Sequence, residues 1–155
     1  MRLVLAYGNP SRGDDGVAWR VAEALGGEAD VEVRCTHQLL PELAVHVGEA
    51  DGVLFVDAAV GEAPGQVAVC DVTPHPEESA FGHILRPAGL LDLTRRLGGE
   101  APPAMLLTVT VQDVGFGLGL SAEVERSLEA ATRAARSALD RLRGRNPCGR
   151  VLAKH

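Results

Sequence analysis

The chain has 155 residues, 46% of them hydrophobic and 23% charged, an ordinary globular composition and enough length to build one core without disulfides. A net charge of −6 excludes a general nucleic-acid binder, because phosphate contacts need a basic face and no Lys/Arg cluster interleaved with aromatics occurs. No run of about 18 apolar residues offers a membrane span, and the opening MRLVLAYGNP lacks the apolar core and cleavage site of a signal peptide. A single cytoplasmic domain acting on a protein or a small solute is therefore expected, with no membrane partner.

The first apolar run, Arg2 to Tyr7, predicts a buried strand that ends at Gly8, Asn9 and Pro10, residues that do not together continue a strand. Val17, Val21, Ala24 and Leu25 recur at helical spacing and predict a helix over 14–25, with acids in its first turn where they suit the macrodipole. Val31 to Cys35 reads as a second strand, Pro41 to Val47 as a helix opened by proline, and Gly52 to Val56 as a fully buried third strand, with Asp57 just past its end. After the Pro64-Gly65 turn, Gln66 to Val72 alternates as a mixed or edge strand. Pro87 to Leu97 predicts a helix, Met105 to Val111 a last strand, and Ser121 to about Leu142 a long amphipathic helix. Ser121 is placed as a plain N-cap, since the acid Glu123 stands at the second helical position and forms no capping box. Alternating strands and helices predict an α/β fold, a three-layer α/β/α sandwich on a mostly parallel mixed sheet of about five strands. Residues 1–143 form the expected catalytic domain and 144–155 a loosely ordered polar tail.

In such a sheet, functional groups gather beyond the carboxyl ends of the strands. The loop after the first strand ends in adjacent carboxylates, Asp14 and Asp15; one can cap the helix while the other faces the crevice. Asp57 is more telling, because a carboxylate at the end of a central strand is costly to desolvate unless paired, hydrogen-bonded or bound to a cation. His83 lies in the loop before Pro87. Two carboxylates and one imidazole from three such loops make an N/O set for a divalent transition metal with open positions for a substrate. His37, His46, His75 and His155 have no comparable placement, and surface roles are expected for them. Cys35, Cys70 and Cys148 are odd in number, widely spaced and without a CxxC pair; the first two are expected as reduced, buried thiols, with neither a zinc site nor a disulfide framework. The dinucleotide, phosphate-loop, GxSxG and HExxH patterns are all absent. A phosphoryl-accepting receiver-like signalling domain is a rival reading, but it needs a lysine at the end of its last strand, and the only lysine is Lys154 in the tail. A non-catalytic metal-binding protein of the same fold is the third.

From roughly Met1 to Arg141 the chain resembles the hydrogenase maturation endopeptidases, which trim the C-terminal extension from the large-subunit precursor of nickel-iron hydrogenases. The resemblance rests on the order and spacing of GNPSRGDDGV (8–17) with VAEAL (21–25), QLLPEL (38–43), VDAAV (56–60) with Pro64-Gly65, GHIL (82–85) with Leu90-Leu91, and GLSAEV (119–124). Ala18 stands where a small glycine is common in the family, and the His83 loop departs from its Ser-x-His form. The resemblance implies a hydrolase in which Asp15, Asp57 and His83 bind nickel, with Asp14 in a supporting role. It further implies that the nickel arrives with the precursor, so that a monomer reads a partner's metal beside the scissile bond, and metal-activated hydroxide is then the natural route to peptide hydrolysis.

Overall fold

The computed structural model describes residues 1–76, 84–112, 117 and 119–145. In chain order it contains β1 (Arg2–Tyr7), a short 3-10 turn (Gly13–Gly16), α1 (Val17–Leu25), β2 (Val31–Thr36), α2 (Leu43–Glu49), β3 (Gly52–Val60), β4 (Val67–Val72), α3 (Pro87–Arg96), β5 (Ala104–Val111) and α4 (Ala122–Gly144). The five strands form one sheet in the order β2-β1-β3-β5-β4. All neighbours are parallel except β4, which runs antiparallel along β5 as an edge.

The apolar runs of the central strands are continuous because both faces of the sheet are covered, as parallel sheets require. Val4, Ala6, Leu54, Val56, Leu107 and Val109 face one way and pack with α1 and α4. Leu3, Leu5, Val53 and Phe55 face the other way and pack with α2 and α3. Phe55, Leu5 and Leu54 are among the largest side chains fully shut off from solvent, and burying each is worth about 1.5–3 kcal/mol. The predicted three-layer α/β/α sandwich with a mostly parallel five-stranded mixed sheet is thus the observed fold. Among the described residues no helix is long and apolar enough to cross a membrane.

Several boundaries differ from the sequence expectation. The first helix begins at Val17, with Asp14 and Asp15 held in the preceding 3-10 turn, and the second begins at Leu43, after a turn at Pro41 and Glu42. Strand β3 does not stop at Val56: residues Asp57 to Val60 continue to pair with Thr108 to Val111 of β5, so Asp57 sits inside the strand. Cys35 and Cys70 are exposed rather than buried, because β2 and β4 are the two edges of the sheet. Cys148 and most of the expected tail, from residue 146 onward, lie outside the described residues.

The connections define where a site can form. From β1 the chain passes through α1 to β2 on one side, then through α2 to β3 on the other side of β1. The carboxyl ends of β1 and β3 therefore flank the switch point, the crevice in which open α/β sheets bind their ligands.

Candidate functional site

Both aspartates reach this switch point, by different routes. The loop leaving β1 begins at Gly8, whose φ of +146° is a conformation L side chains rarely adopt, and whose N–H donates to the Thr36 carbonyl of β2 at 3.1 Å. The chain then folds back on itself. The Asn9 N–H donates to Asp15 Oδ2 at 2.6 Å and the Ser11 N–H to Asn9 Oδ1 at 2.9 Å, while the Arg12 N–H reaches the Asn9 carbonyl at 3.0 Å. These bonds fix Asp15, half-buried, at the rim of the crevice. The Trp19 indole N–H of α1 donates to the same Thr36 carbonyl at 3.1 Å, tying helix, loop and β2 together. His37 stands against the Trp19 ring, centroids 5.6 Å apart.

Asp14 has turned the other way. It is 2% exposed and does not cap its own helix. Its Oδ1 accepts the Ser121 N–H at 2.6 Å and its Oδ2 the Ser121 hydroxyl at 2.8 Å. Ser121 does occupy the N-cap position of α4, but its hydroxyl is engaged with Asp14 and makes no cap bond to the helix. The carboxylate thus lies at the positive end of the long helix, a favourable place for negative charge. A second tie lies alongside: the Gly13 N–H donates to the Gly117 carbonyl at 2.8 Å, and the Gly117 N–H to the Ser11 carbonyl at 3.2 Å. Asp14→Ala is expected to cost about 1.5–3 kcal/mol, since it leaves the half-buried Ser121 N–H and hydroxyl without their charged acceptor. Urea denaturation should show this, with Ser121→Ala milder and the double variant less than additive.

Asp57 projects from β3 on the α2/α3 side of the sheet, beside Thr108 of β5. Burial pushes its carboxyl up to about 6; the Tyr7 side chain and the Ala58 backbone hydrogen-bond it and oppose the rise, while the negative charge of Asp15 adds to it. Asp15 is thus near enough to add its field to the burial that already disfavours charge on Asp57, and a cation arriving there would relieve both. Among the described residues no third His, Cys, Asp or Glu joins them in a metal-holding cluster. The third expected ligand, His83, lies outside the described residues. Sequence reasoning missed Tyr7 as the partner of Asp57, and it placed Ser121 as a helix N-cap without its contact to Asp14. The only signal for Tyr7 was an aromatic with a polar tip ending a buried strand.

No family model matches the sequence, and no curated protein matches it. Solved structures do. The hydrogenase maturating endopeptidase HybD from E. coli matches with a TM-score of 0.73 and 25% identity, over 90% of this chain and 92% of that one. The chain is a structural relative of the hydrogenase maturation endopeptidases. An endopeptidase from Escherichia coli, solved in solution, matches with a TM-score of 0.71 and 25% identity over 91% of this chain and 93% of its own. The NiFe hydrogenase maturation protease HybD from Thermococcus kodakarensis shares the fold, with a TM-score of 0.65 and 23% identity over 88% of this chain and 97% of its own. Likeness to maturation endopeptidases along nine tenths of the chain leaves no support for a receiver. A receiver follows the doubly wound order 2-1-3-4-5, whereas here β5 stands between β3 and an antiparallel β4, and β5 runs out through Val111 into Gln112 with no lysine.

Proposed function

We propose that this chain is an endopeptidase that removes the C-terminal extension of a nickel-loaded hydrogenase large-subunit precursor, and that Asp15, Asp57 and His83 recognise the precursor's nickel. The observation that carries the reading is the pair of carboxylates, Asp15 and Asp57, set at the switch point of a maturation-endopeptidase fold. Burial, and to a lesser degree the charge of Asp15, disfavours the ionised Asp57 carboxylate; a divalent ion delivered with the substrate would offset both and hold the scissile bond against the protein. The binding energy is available only when the precursor carries its metal, which makes cleavage conditional on metal insertion. Held by Asp15, Asp57 and His83, the precursor's nickel would supply Lewis-acid activation of water and of the scissile carbonyl, which would dispense with a serine or cysteine nucleophile. Asp14, turned into the protein to hold α4, supports the site by fixing its neighbour. The same reading makes the protein a cytoplasmic monomer that meets a folded precursor.

Asp15→Asn, Asp57→Asn and His83→Ala are each expected to leave the far-UV circular dichroism unchanged and to reduce cleavage of a nickel-loaded precursor by at least about 100-fold, the loss of roughly 3 kcal/mol of transition-state stabilisation. Cleavage products would be followed by mass spectrometry. Wild-type rates in all three variants would sink the assignment.

A further inference from the structure

The Asp57 carboxylate can meet an incoming cation only if its remaining lone pairs point into the crevice. A side chain has more than one staggered rotamer open to it, and Asp57 lies one residue past the last β1–β3 pair, Ala6 with Val56. What it touches therefore decides its aim. In the β1–β3 register Ala6 is the partner of Val56, so the next residue on each strand, Tyr7 and Asp57, are neighbours at the carboxyl ends. They share a face: Tyr7 packs against the α2/α3 core cluster with Leu3 and Leu5, and Asp57 follows Val53 and Phe55 on the same side of the sheet. Both are half-buried, and the Tyr7 side chain hydrogen-bonds the Asp57 carboxylate.

We propose that Tyr7 is a positioning residue for this site, its hydroxyl donating to Asp57 and holding the carboxylate in the orientation that receives the substrate's metal. The inference rests on the proposed function and adds to it a residue outside the Asp15, Asp57 and His83 set. An ionised carboxylate offers about four lone-pair sites. The Tyr7 O–H and the Ala58 N–H take up part of that capacity, leaving the rest for an incoming cation. A phenol suits the task because its ring is locked by packing and its tip carries the donor. Groups of this kind behind a metal ligand fix its direction, and their removal lowers metal affinity or activity about 10- to 100-fold.

Tyr7→Phe tests this, because it keeps the packed ring and deletes only the hydroxyl. Three quantities are measured: the melting temperature, kcat/KM for a nickel-loaded precursor, and the orientation of the Asp57 side chain in a crystal structure of the variant. The expected result is a folded protein with kcat/KM reduced about 10- to 100-fold and the Asp57 carboxylate rotated from its wild-type direction. A Tyr7→Phe protein with wild-type kcat/KM, or one with Asp57 unmoved, overturns the positioning role. Asp57→Asn run in parallel separates the two ideas: if it cleaves normally, the function assigned to the site fails, whereas its inactivity beside a fully active Tyr7→Phe protein removes Tyr7 alone.

Discussion

Replacing Asp57 with asparagine is expected to make the isolated, metal-free protein more stable at pH 7 while destroying its activity on a nickel-loaded precursor. Burial raises the Asp57 carboxyl from 3.8 to about 6 in the folded chain, so the folded protein holds that proton more tightly than the unfolded chain does. Below about pH 4 the group is protonated in both states and the folded protein carries no penalty. As pH rises through 6 the folded state must accept a poorly solvated charge, and stability is lost. The difference corresponds to about 2–3 kcal/mol at neutral pH. Asparagine keeps the shape and its single amide oxygen can still accept a hydrogen bond from Tyr7 or Ala58, but it never ionises. Its melting temperature should therefore exceed that of the wild type by roughly 5–10 °C at pH 7, at about 2–4 °C per kcal/mol for a chain of this size, and the gain should vanish near pH 4. Calorimetry at the two pH values reads both. An equal gain at pH 4 and pH 7 would show that Asp57 is not held in a state hostile to its charge. The stability surrendered at this position is what a site loses when it must stay ready for a cation supplied from outside.

Gly8→Ala is expected to be the most damaging single change in the loop that carries Asp15. A Cβ built at Gly8 would lie 2.3 Å from the Asp15 carbonyl oxygen, far inside contact distance, and the backbone φ of +146° is unsuited to alanine in any case. The loop cannot relax cheaply, because the Gly8 N–H is bound to Thr36 and the Asn9 N–H to the Asp15 carboxylate. A loss above about 3 kcal/mol in urea denaturation is expected, with cleavage abolished even where the protein remains folded. Gly27 supplies the contrast: its φ is +101° but a Cβ there meets nothing within 4 Å, so Gly27→Ala should cost only about 1–2 kcal/mol of backbone strain and leave activity intact. Comparable losses at both positions would mean that the tight approach of Gly8 to Asp15 carries no special weight.

Much of the architecture could be read from the chain because its strands are strong local signals. RLVLAY, GVLFV and MLLTVTV are apolar runs too short for helices, with Gly8 after the first, Asp51 and Asp57 around the second and Pro103 shortly before the third. The order of those strands is not a local property. Nothing in Val31 to Cys35 says that it becomes an edge, whereas the alternation of Gln66 to Val72 reads as a mixed or edge strand and β4 is one; both thiols expected inside, Cys35 and Cys70, are at the surface. The apolar run Gly52 to Val56 puts Asp57 just past the end of β3. The strand continues because its backbone still has a partner in β5 as far as Val60, and pairing, not side-chain polarity, decides where a strand ends. At the switch point, the acid pair and Asp57 could be picked out from residue type and position. The division of labour between Asp14 and Asp15 could not. Adjacent carboxylates look alike in sequence, and only the arrival of Ser121 distinguishes the one turned inward from the one at the rim. The Tyr7 contact needed the β1–β3 register, which likewise exists only in the folded sheet.

That arrival of Ser121 has a bearing on when the protein becomes competent. The bond between Asp14 and Ser121 spans 107 positions of the chain, and Gly13 and Gly117 meet across a similar gap. A polypeptide emerging amino-terminus first would complete β1, its loop and even β3, and so possess Asp15 and Asp57, well before the start of α4 is available to brace them. Long-range closures of this kind form late. The carboxylate pair is therefore finished only when the last helix docks, and a half-made chain carries the two acids without the support that sets one of them at the rim.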